Sequence, residues 1–582
     1  MLVEAGKRLK CATLVDKILK AAAREYRDAQ ARGSSFKSEF TDLPEEYENI
    51  FTGDFECADN GIYINDELGD RVCVCSHPIM PVKYTRDVDT GTQKVTLIYR
   101  KFDDWESITT SRRTISDRRQ IIELSESGVD VTSETAGWLV RYLATVESLN
   151  TSNIARGLSC ARMGWCNEGF VPYVDDVEFS GAECYADIFN AITTAGDYNE
   201  WRELVRPFYI ECGLPRIILA ASMAAPMVGM TDGLPFFCHL WGGTENGKTL
   251  SLMLAASVWG NPSRNAGLIH PFSATRVGME RLAECLHNLP VCLDELGVKG
   301  GGEKEIGEIV YMLTEGKGKP RGAIRGMQRT ASWATTFLTT GEHPLTEANS
   351  RAGVINRTVS LACGSVGNNI YDDPQHVLAV IKSNYGHAGR AIVEKLTAMG
   401  GDTLRDMLDA NTRLLKLSDT AVSEKQMSAA AHLLTADALG QIAIFDDIID
   451  DSGDISWLTK HLASMEDISN LPRALEWLEG WQVSNGRHFV ASSAEAEGVD
   501  VWGFLRPDKR WAYVATKVRA DMEREGFSYS AFLSDAAAAG VIMTSGGKNT
   551  IPCRIGKTLA RCIVMSAPAP ESEAPGWQKL LR

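Results

Sequence analysis

At 582 residues and a formal net charge of −16, the chain has room for several domains, and its acidity excludes a protein coated in a general nucleic-acid-binding surface. Its composition, 44% hydrophobic and 23% charged, is that of an ordinary globular protein, and no apolar run reaches the roughly 20 residues of a membrane span. The charged Met1–Gly33 segment has no apolar core or small-residue cleavage site, and the 14 cysteines sit mostly in apolar stretches, so a reducing cytoplasm is expected and secretion is not.

Residues 2–32 have a helical pattern that Gly33-Ser34-Ser35 breaks. From about residue 46 short alternating runs take over. Gly61–Ile64, Arg71–Cys75 and Lys94–Tyr99 predict strands, with Asp89-Thr90-Gly91 as a hairpin turn. Cys73 and Cys75 lack the two-residue spacer of a zinc knuckle, and alternation puts both on one strand face, which predicts two core thiols. Trp165–Val174 is again strand-like, and Trp201–Met230 is strongly helical.

Gly242-Gly243-Thr244-Glu245-Asn246-Gly247-Lys248-Thr249 fits G-x-x-x-x-G-K-[ST], the phosphate-cradling P-loop. Its glycines let successive backbone N–H groups face phosphate oxygens; Lys248 can reach the β/γ-phosphates, and the Thr249 hydroxyl can ligate Mg²⁺. The apolar run Pro235–Trp241 reads as the strand feeding the loop, and Leu250–Trp259 as the helix leaving it, stopped by Gly260 and Pro262. ATP and Mg²⁺ are the expected ligands.

A second apolar strand, Leu289–Leu293, ends in Asp294-Glu295. Asp294 would order the metal, and Glu295 would polarise an attacking water as general base, a pairing that favours hydrolysis over transfer to a small molecule. A third strand, Trp333–Thr340, carries Thr340 as first choice and Thr339 as second for the polar residue that AAA+ ATPases aim at the attacking water. Alternation puts the two on opposite faces, so only one can serve. Either Arg351 or Arg357 could complete a neighbouring subunit's site as an arginine finger.

Between the second and third strands an amphipathic helix, Lys304–Thr314, leads into a glycine-rich segment that carries Lys317, Lys319, Arg321, Arg325 and Arg329 and no acid. It occupies the slot where replicative AAA+ helicases insert a hairpin that meets the DNA backbone, so phosphate contact is expected there; a solvated loop, or contact of Arg321 or Arg325 with a neighbour's γ-phosphate, remains open. Pro374 to about Gly486 reads as helical. Ser530–Ala539 then predicts a helix, and Val541–Thr544 and Thr550–Ile555 two strands around a Ser545–Asn549 turn, the pattern of a winged helix with Lys548, Arg554 and Lys557 available to phosphates.

Together, Gly242–Gly260, Leu293-Asp294-Glu295, Glu315–Arg321 and Thr340-Gly341-Glu342, with Gly164-Trp165 and Phe170-Val171-Pro172 upstream, resemble the phage and mobile-element ATPases grouped as domain-of-unknown-function family 927, which includes helicases of staphylococcal cassette chromosomes. The resemblance covers roughly residues 50–400. It implies an AAA+ fold close to minichromosome-maintenance helicases, assembly into hexamers, and ATP-driven unwinding of single-stranded or forked DNA for a mobile element, with a separate primase or initiator protein. The expected architecture is α/β multidomain: a helical leader (1–45), an N-terminal α+β module (46–200), a P-loop AAA+ core (201–370), a helical region (371–490), a winged helix (491–566) and a loose tail (567–582). A nucleotide-gated regulatory or defence switch, or an ATPase that remodels protein, is the alternative.

Overall fold

A computed structural model describes residues 35–272, 275–296, 302–320, 322–323, 326–327, 330–345, 352–364, 369–418, 422–463, 470–492, 500–525 and 527–567. The predicted helix 2–32, the tail from residue 568, Arg321, Arg325, Arg329 and Arg351 lie outside the described residues; of the expected helical leader (1–45), the described part instead carries a short strand, Phe36–Lys37, paired with Phe51–Gly53. The chain divides into two compact units: one runs up to Thr193 and includes Arg281–Leu289, and the other comprises Thr194–Glu280 and the chain from Pro290 onward.

In the first unit the alternating runs form a three-stranded antiparallel sheet, Glu56–Ala58, Gly61–Asn65 and Arg71–Cys75, and a five-stranded mixed sheet. The mixed sheet has the order Val177–Phe179, Ala155–Cys160, Ile79–Asp87, Gln93–Lys101 and Asp104–Ser111. Its central hairpin turns where the sequence predicts: Asp87 Oδ1 accepts from the backbone N–H of Thr90 at 2.7 Å, and Gly91 takes φ +69°. The helix Ala136–Leu149 buries Leu139, Tyr142, Leu143 and Val146, and the Tyr142 hydroxyl donates to the Ile79 carbonyl at 2.7 Å. The two thiols do not share a face. Cys75 is buried and Cys73 exposed, because a register irregularity where this strand pairs with Gly61–Asn65 interrupts simple alternation.

The second unit is built on a parallel sheet of β1 (Phe236–Trp241), β2 (Ile269–Pro271), β3 (Val291–Leu296), β4 (Thr336–Gly341) and β5 (Thr358–Ala362), in the spatial order β2-β3-β4-β1-β5. β1 and β4 are buried almost throughout, as a parallel sheet covered on both faces requires. Stacked Phe237 and Phe337 side chains, 4.8 Å between ring centroids, join them. The predicted helical stretch Trp201–Met230 is two helices, Tyr198–Glu211 and α1 (Leu214–Met230), broken at Cys212, which takes φ +52°.

Among the described residues one helix, α2 (Glu424–Phe445), is long and apolar enough to cross a membrane by length and composition, but most of it is buried in the protein, packed against α1. An ion cluster ties these two helices. Arg216 on α1 pairs with Asp437 on α2 and with Asp450 beyond it, each at 2.7 Å, and the side chains of Arg216 and Asp437 are only 4% and 6% exposed. Burial pushes the Asp437 carboxyl up, while the Arg216 guanidinium pulls against that shift.

The C-terminal segment has the helices Asn470–Ser484, Ala515–Arg524 and Tyr529–Ala538 against a five-stranded sheet. Its hairpin is displaced from the predicted one. Ile551–Ile555 pairs with Thr558–Val564 around Gly556, whereas Val541–Thr544 forms no strand. Val541 and Ile542 are buried, but that stretch makes only an isolated bridge from Ile542 to Met565. Apolar alternation there reports core contact rather than ladder pairing.

Removing Asp437 would leave the Arg216 charge buried with one partner fewer. Asp437→Ala should cost about 3–5 kcal/mol, read as a lower urea midpoint of the second unit's unfolding; an unchanged midpoint would show that the pair contributes nothing net.

Candidate functional site

Parallel pairing brings the carboxyl ends of β1, β3 and β4 to one edge of the sheet, so the three motifs meet there. The Gly242–Thr249 loop leaves β1 and enters α3 (Lys248–Ser257). Gly242 and Gly247 have φ +144° and +85°. A Cβ on Gly242 would stand 2.9 Å from the Gly364 carbonyl oxygen, and one on Gly247 2.8 Å from Asn369 Oδ1, so both positions require glycine. Buried Asn246 donates to the carbonyls of Cys363 and Gly364 at 3.2 Å, tying the loop to the chain that follows β5. Ser251 Oγ donates to the Gly247 carbonyl at 3.1 Å and lies 3.0 Å from the Tyr371 hydroxyl. Lys248 arches over the loop, with Nζ on the carbonyl of Gly242 at 3.0 Å and on that of Gly243. Thr244 and Glu245 lie in the loop between, Glu245 at φ +63°.

Facing the loop is Asp294. Thr249 donates to its carboxylate at 3.2 and 3.3 Å, and Thr340 donates to Oδ1 at 2.7 Å. The Thr340 hydroxyl in turn accepts from the backbone N–H of Glu295 at 3.0 Å. One hydroxyl therefore sets both carboxylate residues. The register of β3 against β4 shifts between Leu293 and Leu296, and Glu295 sits there at φ +55°, so its exposed side chain leaves the strand alternation. These hydroxyl and carboxylate oxygens are the hard donor set that suits Mg²⁺.

Thr339 points the other way. It bonds His239 Nδ1 at 2.8 Å, and His239 Nε2 bonds the His343 carbonyl at 2.9 Å. Burial pushes the imidazole down to about 4, and the nearby Lys248 charge adds to that direction. A neutral ring fits its partners: Nε2–H donates to the carbonyl, and Nδ1 accepts from the Thr339 hydroxyl. Sequence reasoning does not single out His239; a histidine inside the apolar run Phe236–Trp241 is its only signal.

Arg264 is the other site residue that sequence reasoning misses. It follows the α3 helix in a short turn, pairs with Asp294 Oδ2 and approaches Thr249 Oγ1 at 3.4 Å. No spacing rule singles out an arginine there. Arg357 is placed elsewhere among the described contacts, donating to the Gly353 carbonyl at 3.2 Å with its guanidinium 4.6 Å from the Tyr311 ring.

The basic segment is an antiparallel arm pair. Gly318 donates to the Ala331 carbonyl at 2.8 Å, Trp333 to that of Gly316 at 3.0 Å, Lys317 bridges to Ser332, and Gly322–Ala323 pairs with Gly326–Met327. Lys317 and Lys319 are on it, and Lys548, Arg554 and Lys557 are exposed in the C-terminal segment.

A mixed α/β, multidomain protein with a parallel sheet, bearing these groups at its carboxyl edge, is what the fold defines. Residues 55–333 match the family model described as "Domain of unknown function (DUF927)". No curated protein sequence matches the chain. Among solved structures, one described as "SCCmec type IV Cch - active helicase" is similar with a TM-score of 0.61 at 16% identity, over 91% of this chain and 99% of that one, so the two share a fold.

The His239 imidazole, depressed when folded, takes up its proton mainly on unfolding between pH 6.5 and about 4. Its contribution to stability is complete above pH 6.5 and is lost as the pH falls towards 4. Thermal denaturation at pH 7.5 and 5.0 should show a lower midpoint in acid, and His239→Gln should narrow that difference; an equal pH response in the variant would remove His239 as a source.

Proposed function

We propose that the chain is a P-loop AAA+ ATPase that assembles into a ring, a hexamer on the family resemblance, and acts as an ATP-dependent DNA helicase or translocase of a mobile element. The observation that carries the ATPase reading is the convergence of Lys248, Thr249, Asp294, Glu295 and Thr340 at one sheet edge, through the Thr249–Asp294–Thr340 hydrogen bonds. The strand order β2-β3-β4-β1-β5 supports the AAA+ assignment, since β4 stands between the loop strand and the Asp-Glu strand. The solved neighbour, named an active helicase, and the basic hairpin before β4 support action on DNA.

In this reading the loop N–H groups and Lys248 hold the β- and γ-phosphates. Thr249 and Asp294 would hold Mg²⁺, which when bound neutralises phosphate charge as it develops. Glu295, with its backbone pinned by Thr340 and its side chain free of the strand, accepts a proton from the attacking water. Thr340 senses the γ-phosphate, and Arg351 or Arg357 reaches a neighbouring subunit's phosphate. The hairpin cations Lys317, Lys319, Arg321 and Arg325, with the C-terminal segment read as a winged helix, follow the backbone of single-stranded or forked DNA. A separate primase or initiator would load it.

Steady-state hydrolysis should rise severalfold with single-stranded DNA. Glu295→Gln should lower kcat by about 10²-fold or more while ATP still binds, and Lys248→Ala should lose ATP binding. A wild-type rate indifferent to DNA would replace the motor reading with a nucleotide-gated switch. Charge reversal at Lys317, Lys319 and Arg321 should weaken single-strand binding and flatten its salt slope by about 0.7 for each phosphate left without its cation; an unchanged slope would remove the hairpin from the DNA path.

A further inference from the structure

We propose that Arg264 is an internal counter-cation that competes with the divalent cation for Thr249 and Asp294 and passes to the terminal phosphate when the metal takes its place. This rests on the triphosphate reading above. The Asp294 carboxylate is 9% exposed and the Arg264 side chain 56%, so a nearly buried anion is capped by a cation that reaches in from solvent. A buried carboxylate needs such a partner, and guanidinium carries its charge at every accessible pH. Arg264 contacts both side chains on which the proposed metal site depends, ion-paired to Asp294 Oδ2 and 3.4 Å from Thr249 Oγ1. Thr249 Oγ1 itself is only 3.2 Å from Asp294 Oδ1 and 3.3 Å from Oδ2. A divalent cation and a guanidinium cannot both take them, because their ligands coincide and their charges would lie within a few ångströms of each other.

The two cations therefore exclude one another. An exposed side chain on a short turn can move without disturbing the core. Arg264 is anchored beside Thr249, whose neighbour Lys248 serves the phosphates, so a displaced guanidinium has phosphate oxygens within reach and matches them with paired N–H donors. Metal and nucleotide are thereby coupled: the cation that arrives with a phosphate releases the arginine to a new partner, whereas a free cation must displace it for nothing. Arg264 is a positioning residue in this scheme before it is a phosphate ligand.

The test uses Mn²⁺ as the metal probe on the full chain, with its free EPR signal read without nucleotide and then with ATP. Arg264→Ala should bind free Mn²⁺ at least tenfold more tightly than wild type and should bind Mn²⁺–ATP severalfold less tightly. Arg264→Lys, which keeps a cation on a similar stem, should restore most of the exclusion of free Mn²⁺, an outcome that a merely structural role would not produce. Equal free-Mn²⁺ affinity in wild type and Arg264→Ala, with both still binding ATP, would overturn the arginine's role and leave the ATPase reading standing. Wild-type protein that binds no ATP in the same titration would overturn the ATPase reading itself.

Discussion

Parallel pairing of β3 with β4, and of β4 with β1, is the constraint on which the site depends. Parallel strands end on the same side of a sheet, so the chain's three chemical segments, far apart in sequence, finish within hydrogen-bonding distance. Leu240 lies opposite Thr340 and Trp241 opposite Gly341, which sets Thr340 between the glycine-rich loop and Asp294. A slip of one residue in β4 would put Thr339 or Gly341 in the place of Thr340 and take Thr339 away from His239. His239 opposes such a slip, since its ring is satisfied only with Thr339 on one side and the His343 carbonyl on the other. A buried polar triplet thus specifies the register that the carboxylate edge needs.

Much of this is legible in the sequence because each signal is local. The loop's glycines, the apolar runs into β1 and β3 and the hairpin turn at Asp89-Thr90-Gly91 follow from backbone freedom and burial alone. The choice between Thr340 and Thr339 is different: alternation says only that they differ, and the strand that holds Asp294 decides which faces what. The positive φ of Glu295 arises from a register shift against β4, a tertiary event with no residue signature. Arg264 is invisible for the same reason, since its meaning lies in where the turn after α3 returns.

The departures share a physical cause. Cys73 and Cys75 alternate correctly, yet one is exposed because a bulge breaks the ladder beside them. Val541–Thr544 is apolar enough for a strand, but Val541 and Ile542 use that apolarity against the core while the following hairpin takes the ladder. Glu424–Phe445 is a core helix buried over most of its length, and its buried polar groups find partners: Asp437 in the ion cluster with Arg216, and Gln426, His432 and Thr435 on backbone carbonyls. In each case burial and hydrogen-bond pairing, which coincide in an ideal strand or helix, come apart.

A net charge of −16 looks unsuited to a phosphate polymer, and the distribution resolves this. At physiological salt the field of an exposed charge is screened within about 8 Å, so distant carboxylates scarcely act at the hairpin. What counts there is the local composition, and from Gly316 to Arg329 the sequence has five cations and no acid. The antiparallel arms carry Lys317 and Lys319, both exposed. The hairpin returns directly into β4, the strand that ends at Thr340 and hence at Asp294 and Glu295. On the proposed reading, a shift of β4 on loss of the γ-phosphate would move the hairpin's base, and a pull on the hairpin would disturb the carboxylates. Phosphate chemistry at one end of a buried strand and phosphate contact at the other then become two readings of one rigid element.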